Sequence, residues 1–428
     1  MIRFYKEFGE YGYLANYSNH GFYKNGVYYK TVEHYYQSEK FDDEIIKKRI
    51  IEAETPKEAS NIGRDRNNIR KDNFKNIKNQ VMLEGILEKF RQNKDILYKL
   101  IETRDKYIEE ETIDEYYWGV GKDHTGLNTI GKLLMEARSI LKKEILDTII
   151  NNCGDEVYVI GHNNPDADSI FSSLLITNIL KSIGIKAHFS VLDSYIYSSN
   201  DSKLINDHLN IKPEVVADIT NKKFLLVDHN TLDGIPSNQV VGSIDHHMIS
   251  NQVDNILEME YASTGLLIYD LFKDKYEFSR EEKLLIGLTV LADTEYLCSS
   301  RFSDSDKILY DSLNLDINVK EYQAKYFVTT NFNNSIDDNI NNNLKRYNYN
   351  DTNINRVLIS SYKLDFDLYL DKYIKYMDSL EGNWLLIWAN YEDKVTTIYY
   401  KGDIYNLDYL TTSTYITLKM LEEKKIIK

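Results

Sequence analysis

The sequence predicts a multidomain chain with an N-terminal α+β domain, a middle α/β domain built on a doubly wound parallel sheet, and a small C-terminal α/β domain that closes a cleft. The length, 428 residues, exceeds that of one ordinary domain. Strand-like apolar runs alternate with helical runs between residues 155 and about 315. The stretch 331–343 is rich in Asn and Asp, which is typical of a linker. We therefore expect domains at 1–145, 150–320 and 330–428.

The first domain opens with short aromatic segments and turn signals. Lys24-Asn25-Gly26-Val27 predicts a hairpin between aromatic strands. From Thr31 the pattern becomes helical, and residues 81–90 repeat apolar side chains at the period of an α-helix. A closing helix over 131–141 leads into a short, partly charged connection at 142–154. In the C-terminal domain, the clearest strand candidates are Val357-Leu358-Ile359 and Leu385-Leu386-Ile387-Trp388.

Composition restricts the partners and the compartment. A net charge of -15 argues against broad electrostatic binding to duplex nucleic acid, although it leaves room for a local basic pocket. Two cysteines, Cys153 and Cys298, cannot form a disulfide framework and favour a reducing compartment. No apolar stretch reaches 18 residues, and the first residues lack the layout of a signal peptide. We expect a cytoplasmic protein that binds small molecules and no membrane.

Three clusters of potential metal ligands follow apolar runs in the middle domain. The first holds His162, Asp166 and Asp168, the second holds Asp228, and the third holds His246 beside another histidine. The ends of parallel strands meet at the carboxyl edge of a sheet, where open α/β folds keep their sites. Taken alone, the first cluster could be a polar turn. Three clusters within 90 residues favour one shared metal site.

The composition of these clusters favours a two-metal phosphohydrolase. Asp293 ends another apolar run and adds a further carboxylate, although a polar residue at a helix end is its simpler interpretation. Two metal ions can clamp a phosphoryl group and lower the pKa of a bridging water to near neutrality. Imidazoles favour transition metals and aspartates keep the site hard enough for manganese. The predicted ligands are His162, Asp166, Asp168, Asp228, His246 and Asp293, with His247 left to contact phosphate.

These motifs resemble the DHH phosphoesterase superfamily. The segment GHNNPDADS beginning at Gly161, the VDHN ending at Asn230 and the IDHH ending at His247 are most similar to its manganese-dependent, family II inorganic pyrophosphatases. The resemblance implies two Mn²⁺ ions, with Co²⁺ or Mg²⁺ as possible substitutes. It places His162 and Asp166 on one ion, Asp168, His246 and Asp293 on the other, and Asp228 between them. It also implies that His247 touches the leaving phosphate and that Lys345 binds substrate.

The C-terminal end departs from that family. The pyrophosphatases carry a serine-arginine-lysine-lysine run near the end of the chain, where Glu422 and Glu423 stand here. Positive groups there would grip pyrophosphate, whereas glutamates would repel it. Pyrophosphate, a related phosphoanhydride and a phosphodiester therefore all stay open as substrates.

In the N-terminal domain, Glu33 lies within the aromatic segment 31–41. A carboxylate in an aromatic pocket can have a raised pKa and serve as general acid or base, or stabilise an oxocarbenium-like centre. A solvated helix glutamate is the alternative. His34 has no second ligand at metal spacing, so we expect a packed or surface histidine. Gly63-Arg64-Asp65-Arg66 forms a basic turn suited to phosphate.

Two glycine-spaced segments, 117–121 and 126–131, complete the N-terminal pattern, although they could be only a loop and a helix start. With them, residues 4–141 resemble the NADAR (YbiA-like) family, N-glycosidases of ADP-ribosyl or related ribose-phosphate N-glycosides. The resemblance places catalysis on Glu33 with Trp118. An acidic partner is either Glu115, by spacing, or Asp114, by residue type. The implied substrate-binding residues are Asn16, Lys40, Arg64 and Asn128.

The sequence thus predicts a bifunctional hydrolase acting on phosphorylated small molecules. One half would be an N-glycosidase, and the other a manganese-dependent, pyrophosphatase-like phosphohydrolase. Two alternatives remain. The NADAR-like part could be an ADP-ribose-binding regulatory module, and the DHH-like part could be a phosphodiesterase or nuclease. The acidic net charge makes nucleic acid an unfavourable partner, with ADP-ribosylated nucleic acid as the exception.

Overall fold

The computed structural model describes two compact units, Met1–Thr148 and Ile149–Lys428. Its described residues are all of 1–428 except 194–200, 248–251, 255, 300, 327–329, 331, 350–351, 362, 392, 413 and 428. None of the described helices is long and apolar enough to cross a membrane.

The first unit is an α+β domain. Its strands pair as two small sheets, β1 with β4 in parallel and β2 with β3 antiparallel. The elements are β1 (Ile2–Phe4), β2 (Phe22–Lys24), β3 (Val27–Tyr29), α1 (Val32–Ser38), α2 (Glu44–Glu52), α3 (Pro56–Arg64), α4 (Phe74–Gln92), α5 (Lys94–Ile101), β4 (Ile108–Glu110) and α6 (Thr129–Cys153).

The β2–β3 hairpin confirms the predicted turn. Asn25 and Gly26 occupy the two turn positions with φ of 52° and 80°. Positive φ at both central residues is the requirement of a type I′ turn, which asparagine followed by glycine meets at little cost. The turn pairs Phe22 with Tyr29, and both rings are buried against Tyr35 of α1.

The connection between the units is helical, whereas the sequence predicted a short connection at 142–154 after a helix ending at 141. Helix α6 continues to Cys153. Leu146, Ile149 and Cys153 are buried, and their spacing keeps them on one side of the helix. The charged residues between them hid this apolar stripe.

The second unit begins with a six-stranded sheet in which every neighbouring pair is parallel. The strand order β10-β9-β8-β5-β6-β7 reverses direction between β5 and β8, which confirms the doubly wound sheet. Its elements are β5 (Glu156–Ile160), α7 (Ala167–Ser182), β6 (Lys186–Leu192), α8 (Ser202–His208), β7 (Glu214–Val216), β8 (Phe224–Val227), β9 (Val240–Asp245), β10 (Ile256–Glu258), α9 (Thr264–Phe272), α10 (Arg280–Asp293), α11 (Asp304–Ser312) and α12 (Val319–Tyr326).

The core of this sheet domain extends past the expected boundary at 320. Tyr326 of α12 is buried in the same apolar cluster as Phe171 and Leu288, and Tyr322 packs against that cluster. Helix α12 therefore belongs to the sheet domain. The expected boundary fell too early because the apolar pattern of an eight-residue amphipathic helix is too short to be recognised in the sequence.

The C-terminal domain is a five-stranded mixed sheet in the order β11-β12-β13-β14-β15. Only the β12–β13 pair is parallel, with α14 in the crossover between them. Both strand candidates are confirmed, as parts of β12 and β13. The elements are α13 (Ile336–Asn342), β11 (Leu344–Tyr349), β12 (Thr352–Ser361), α14 (Lys363–Asp378), β13 (Trp384–Asn390), β14 (Val395–Tyr400), β15 (Asp403–Leu407) and α15 (Thr414–Glu423).

The predicted linker at 331–343 corresponds in part to helix α13, while residue 331 lies outside the described residues. The side chain of Ser335 accepts a hydrogen bond from the backbone N–H of Asp338 at 3.0 Å and caps the helix. Ile340 is buried in the C-terminal core. One cap and one apolar anchor thus give helical structure to a stretch whose composition favours a loop.

Candidate active sites

Glu33 lies inside the first unit rather than on a solvated helix face. Thr31 caps helix α1 by accepting the backbone N–H of His34. The second helical position then faces inward, and Glu33 is 6% exposed. Its Oε1 accepts a hydrogen bond from Gln37 Nε2 at 2.7 Å, and its backbone N–H donates to Asn16 O at 3.2 Å. Burial raises the pKa of Glu33, although the hydrogen bonds from Gln37 and Ser60 oppose the shift.

Lys40 is buried in the same unit, within electrostatic reach of Glu33. Burial lowers the pKa of Lys40 to about 8, against the opposing effect of Glu33 and with a further lowering by Arg70 and Arg64. Its Nζ lies 5.0 Å from the centre of the Tyr36 ring. A cation, a carboxylate and an aromatic face therefore share one desolvated region.

Aromatic rings pack around Tyr36 beside this region. Tyr36 meets Trp118 edge to face at 5.5 Å between ring centres, and meets Phe74 at the same distance. Trp118 is half-buried. Tyr117 packs against Trp118 at 5.0 Å.

A cavity of about 570 Å³ beside helix α3 is lined by Arg64, Arg66, Asn68 and Arg70. Arg64 is the residue that the sequence predicted. Arg70 was not predicted, because it lies four residues beyond the basic turn on an irregular segment. Arg70 Nη2 donates to Gly63 O at 3.3 Å, which holds it at the cavity. Three guanidinium groups around one cavity suit a phosphorylated ligand.

The two acidic residues predicted near Trp118 differ in their hydrogen bonds and in their exposure. Glu115 Oε1 accepts the backbone N–H groups of Tyr117 and Trp118 at 3.1 and 3.4 Å, whereas Asp114 is exposed. Of the two acidic candidates, Glu115 therefore positions Trp118. Glu110 was not predicted; burial, with Glu115 and Glu33 adding to it, raises its pKa to about 7.

Asn128, predicted to bind substrate, is held inside the fold by hydrogen bonds of its own side chain. It is fully buried, with a φ of 51°. Its Nδ2 donates to Ile108 O at 2.8 Å, and its Oδ1 accepts the N–H of Glu110 at 3.1 Å. Both ends of the amide are used to hold the 117–128 loop against β4. The buried Oδ1 of Asn16, in contrast, has no hydrogen-bond partner within the described part of the chain.

His34 is a packed histidine, as predicted. Its Nε2 is 3.2 Å from Ala53 O, and its Nδ1 is 2.8 Å from Thr31 Oγ1. Both ring nitrogens therefore have partners inside the fold.

In the second unit, the turn after β5 presents the first ligand cluster. Ser169 Oγ accepts the backbone N–H of His162 at 3.1 Å, and Asp166 Oδ1 accepts the N–H of Ser169 at 3.0 Å. A Cβ at Gly161 would collide with the Ser169 side chain. Glycine is thus required for this turn to close. Helix α7 begins directly after the turn, between Asp166 and Asp168.

All six predicted metal ligands converge in two groups of three. His162 Nε2 lies 3.4 Å from both Asp166 Oδ2 and Asp228 Oδ2. His246 Nε2 lies 3.7 Å from Asp168 Oδ2 and 3.1 Å from Asp293 Oδ2. The ligand atoms within each group are close enough to bind one ion.

Asp228 lies between the two groups. Its Oδ1 is 3.4 Å from His246 Nε2, while its Oδ2 faces the other histidine. The backbone of Asp228 has a φ of 65°, a left-handed conformation that is unfavourable for aspartate. Its carboxylate is therefore placed to bridge two ions from a strained position directly after β8.

Three buried ligand atoms fit a metal better than any protein partner. His162 Nε2, His246 Nε2 and Asp228 Oδ2 have no hydrogen-bond partner among the described residues. Unpaired buried polar atoms are costly. Burial and the neighbouring carboxylates of Asp228 and Asp293 raise the pKa of Asp168 well above its usual range. Bound cations would satisfy these atoms and offset the repulsion between the carboxylates.

Outer hydrogen bonds orient the ligands. His162 Nδ1 is 2.8 Å from Asn163 O, and His246 Nδ1 is 3.0 Å from Tyr261 O, so each ring turns Nε2 toward the site. Asp168 accepts the N–H groups of Thr264 and Gly265 at 2.6 and 3.0 Å. The start of α9 thus orients Asp168, one of the residues predicted to bind metal, and no sequence motif marks these backbone contacts.

His247 lies beside the carboxylate of Asp228. Its Nδ1 is 2.9 Å from Asp245 Oδ1 and 3.6 Å from Asp228 Oδ1. Asp245 is fixed in turn by Asn230 Nδ2 at 2.6 Å. His247 also forms a possible ligand group with Asp228 and His246, so the geometry alone allows either a phosphate contact or a metal contact.

The C-terminal domain carries Lys345, the residue predicted to bind substrate, and opposite it in the β11–β12 pair Arg356, which was not predicted. Lys345 is accessible to solvent and lies within electrostatic reach of Asp166 and Asp228. Arg356 Nη2 donates to the hydroxyl of Tyr347 at 3.3 Å, and its Nε donates to Thr414 Oγ1 at 3.0 Å. Arg356 escaped prediction because a single arginine within a strand has no motif.

Comparisons with known proteins find similarities in both units. Residues 3–142 match the NADAR domain, and residues 156–293 match the DHH family, N-terminal domain. An N-glycosidase of Nostoc punctiforme is 38% identical over 144 residues, which are 33% of this chain and 92% of that protein. The N-glycosidase YbiA of Escherichia coli is 34% identical over 144 residues, 34% of this chain and 90% of that protein.

The second unit has a relative of a different kind. A manganese-dependent inorganic pyrophosphatase of Methanothrix thermoacetophila is 30% identical over 169 residues, which are 37% of this chain and 54% of that protein. The match thus spans about half of that relative. The chain belongs to the NADAR domain family through residues 3–142, matches the DHH family, N-terminal domain at 156–293, and is a hydrolase.

Proposed function

We propose that the first unit hydrolyses the N-glycosidic bond of a ribose-phosphate or ADP-ribosyl compound. The observation that carries this proposal is the buried carboxylate of Glu33, with a raised pKa, in the unit that also holds the arginine-lined cavity. The relatives named N-glycosidase support the same chemistry.

In this reaction the water oxygen forms a bond to the anomeric carbon, and the bond from that carbon to the base nitrogen breaks. The base keeps the electron pair and takes up a proton. Glu33 would stabilise the cationic sugar centre and orient the water. Tyr36 and Trp118 would contact the base, and Arg64 and Arg70 the phosphates.

The experiment compares the full-length chain with Glu33→Gln on ADP-ribosylated and ribose-phosphate N-glycosides, measuring the release of free base. We expect turnover to fall at least about 100-fold, the usual range for a positioned acid or base. Wild-type turnover in the variant would refute the role of Glu33. Ligand binding without base release by the unmodified chain would instead support a regulatory module.

We further propose that the second unit is a manganese-dependent phosphohydrolase acting on a phosphoanhydride such as pyrophosphate. The observation that carries this proposal is the pair of ligand groups that share Asp228. Manganese supplies the activation of water and the charge neutralisation of the phosphoryl oxygens. His162, Asp166 and Asp228 would hold one ion, and Asp168, His246 and Asp293 the other, with Asp228 common to both. His247 would contact the leaving phosphate.

Chelator-treated protein should be inactive on phosphate substrates, and manganese or cobalt should restore activity better than magnesium. Asp228→Asn should lower metal content and phosphate release together, because both ions lose a ligand. An exposed aspartate, changed as Asp218→Asn, is the matched control. Full activity with magnesium alone, or a fully active Asp228→Asn variant, contradicts the site. Oligonucleotide cleavage in preference to phosphoanhydride hydrolysis would support the nuclease alternative.

A further inference from the structure

We propose that Thr264, the first residue of helix α9, is a positioning residue that links the two groups of predicted metal ligands. It holds the carboxylate of Asp228, which lies between the groups, and the carboxylate of Asp168, which belongs to the group of His246. This inference deepens the proposed phosphohydrolase function and rests on it. It assigns to the Thr264 side chain the task of keeping both ions on one shared carboxylate.

Thr264 contacts two different carboxylates through two different donors. Its backbone N–H donates to Asp168 Oδ2 at 2.6 Å, and its hydroxyl donates to Asp228 Oδ1 at 2.9 Å. Thr264 is fully buried, so both hydrogen bonds are shielded from solvent. Asp168 lies on α7, whereas Asp228 follows β8. One residue of a third element therefore connects two parts of the site that are far apart in the sequence.

The hydroxyl fixes which oxygen of Asp228 lies beside which ligand group. Asp228 Oδ2 is 3.4 Å from His162 Nε2, whereas Asp228 Oδ1 is 3.4 Å from His246 Nε2. The terminal torsion of an aspartate side chain is broad, so the carboxylate could otherwise rotate. The hydrogen bond from Thr264 to Oδ1 opposes this rotation. One oxygen thus stays beside each histidine, which is the arrangement that a bridge between two ions requires.

The backbone of Thr264 acts on Asp168 in a similar way. Asp168 Oδ1 accepts the Ser172 hydroxyl at 2.8 Å and the backbone N–H of Gly265 at 3.0 Å. Asp168 Oδ2 accepts the N–H of Thr264 and lies 3.7 Å from His246 Nε2. A carboxylate has lone pairs for about four acceptor sites, so Oδ2 keeps the capacity to bind an ion. Three donors therefore fix the plane of this carboxylate without saturating it.

The start of α9 is itself anchored against α10, the helix that ends at Asp293. Oγ of Ser263, the N-cap of α9, is 2.8 Å from Thr289 Oγ1. A Cβ at Gly265 would collide with the Thr289 side chain, so glycine lets the two helices approach closely. Thr289 precedes Asp293 by about one helical turn and lies on the same side of α10. The segment that carries Thr264 is thus fixed relative to a third carboxylate.

Two opposing effects follow from the Thr264 hydroxyl. A neutral donor withdraws some electron density from Asp228 Oδ1, which weakens the bond of that oxygen to an ion. The same donor orients the carboxylate, and losing such an outer hydrogen bond usually lowers metal affinity about 10- to 100-fold. Orientation matters more here, because Asp168 and Asp228 repel each other and would separate if they were not held. We therefore expect removal of the hydroxyl to weaken the shared site.

Paramagnetic resonance of the manganese-loaded full-length chain tests this link without turnover. Two Mn²⁺ ions that share a carboxylate are magnetically coupled, whereas a single bound ion shows the resolved hyperfine lines of isolated Mn²⁺. The wild type should give the coupled spectrum. Thr264→Val keeps the shape and the backbone donor but lacks the hydroxyl, so its spectrum should shift toward that of isolated ions. Thr264→Ser returns the hydroxyl and should restore the coupled spectrum.

Calorimetric titration measures the same change as an affinity. Thr264→Val should lower the affinity for the second manganese ion about 10- to 100-fold and change the affinity for the first ion less. Thr177→Val is the matched control, because Thr177 is a buried threonine of α7 whose hydroxyl donates to Ser173 O at 2.7 Å. This control should match the wild type in spectrum and in affinity. If Thr264→Val does not fold, Thr264→Ala removes the same hydroxyl and has the same expected result.

A coupled spectrum and a second affinity that are unchanged in Thr264→Val would overturn the role of Thr264. Equal losses in Thr177→Val would also overturn it, because they would indicate a general loosening of the unit. A wild type that binds a coupled pair but releases no phosphate from pyrophosphate would overturn the phosphohydrolase function, while the spectra would still decide the role of Thr264. A wild type without a coupled pair would overturn both.

Discussion

At the scale of single residues, both candidate sites keep polar groups in places that folding alone disfavours. Glu33 is a buried carboxylate, and His162 and His246 each hold a buried nitrogen without a hydrogen-bond partner among the described residues. Such groups cost stability and are retained where chemistry needs them. We therefore expect that removing any one of these buried polar groups will stabilise the folded chain and reduce its function.

Glu33→Gln should raise the unfolding temperature of the chain, and this gain over the wild type should increase as the pH rises. Burial raises the folded-state pKa of Glu33, so its carboxyl contributes stability that is fully present below the unfolded pKa and is lost as the pH rises through the folded pKa. Glutamine keeps the size and avoids the buried charge. The unfolding temperature of the variant minus that of the wild type should therefore grow from pH 4.5 to pH 8.

Differential scanning fluorimetry across this pH range measures the effect. Glu136→Gln, an exposed change on helix α6, is the control and should give a small difference that does not grow with pH in the same way. A flat difference for Glu33→Gln would mean that Glu33 is as well solvated in the folded chain as in the unfolded one.

At the scale of elements, the start of helix α7 positions residues that are predicted to bind metal. Ser169 holds the His162 backbone with its side chain, while its own N–H is held by Asp166. Ser169→Ala should therefore lower manganese affinity about 10- to 100-fold, which is the usual effect of losing a hydrogen bond that orients a metal ligand. Ser173, one turn further along α7 and also buried, bonds only to the backbone of Ser169 through its hydroxyl.

Manganese titration by calorimetry compares the two changes. Ser173→Ala should retain the affinity of the wild type, because it leaves the His162 turn intact. Equal losses in both variants would indicate a general loosening of α7 rather than a defect in the turn.

Elements with a strong local signal were predictable, and those stabilised by distant contacts were not. The strand ends that carry Asp228 and His246 are marked by apolar runs followed by acidic residues or histidines, so the proximity of the six residues predicted as ligands could be expected from the sequence. The helical end of α6 depends on burying Cys153, and α12 depends on burying Tyr326. Arg70 and Arg356 acquire their positions only through tertiary contacts, which no local pattern reports.

At the scale of the whole molecule, metal binding should couple to stability. Ions that bind only the folded chain stabilise it by about 2.7 kcal/mol per site at a concentration of 100 times Kd. For a unit of this size we expect the unfolding temperature to rise by about 5 °C or more with manganese. Chelator should reverse the rise, and Asp228→Asn should abolish most of it.

Thermal unfolding of the full-length chain with and without 1 mM manganese, about the level needed for micromolar sites, measures this coupling. Asp218→Asn should respond as the wild type does. A chain that gains no stability from manganese would contradict a preformed two-ion site. Glu33→Gln should leave the manganese response unchanged, since Glu33 lies in the other unit.

The left-handed backbone of Asp228 has a consequence for how this sequence would drift. Glycine and asparagine adopt a φ near 65° more readily than aspartate does. If selection acted only on folding, substitution to either residue would be favoured, because it would relieve both the backbone strain and the crowding of carboxylates. A chain that had lost its phosphohydrolase role would thus be recognisable by glycine or asparagine at this position, while GHNNPDADS could persist for longer as a helix cap and turn.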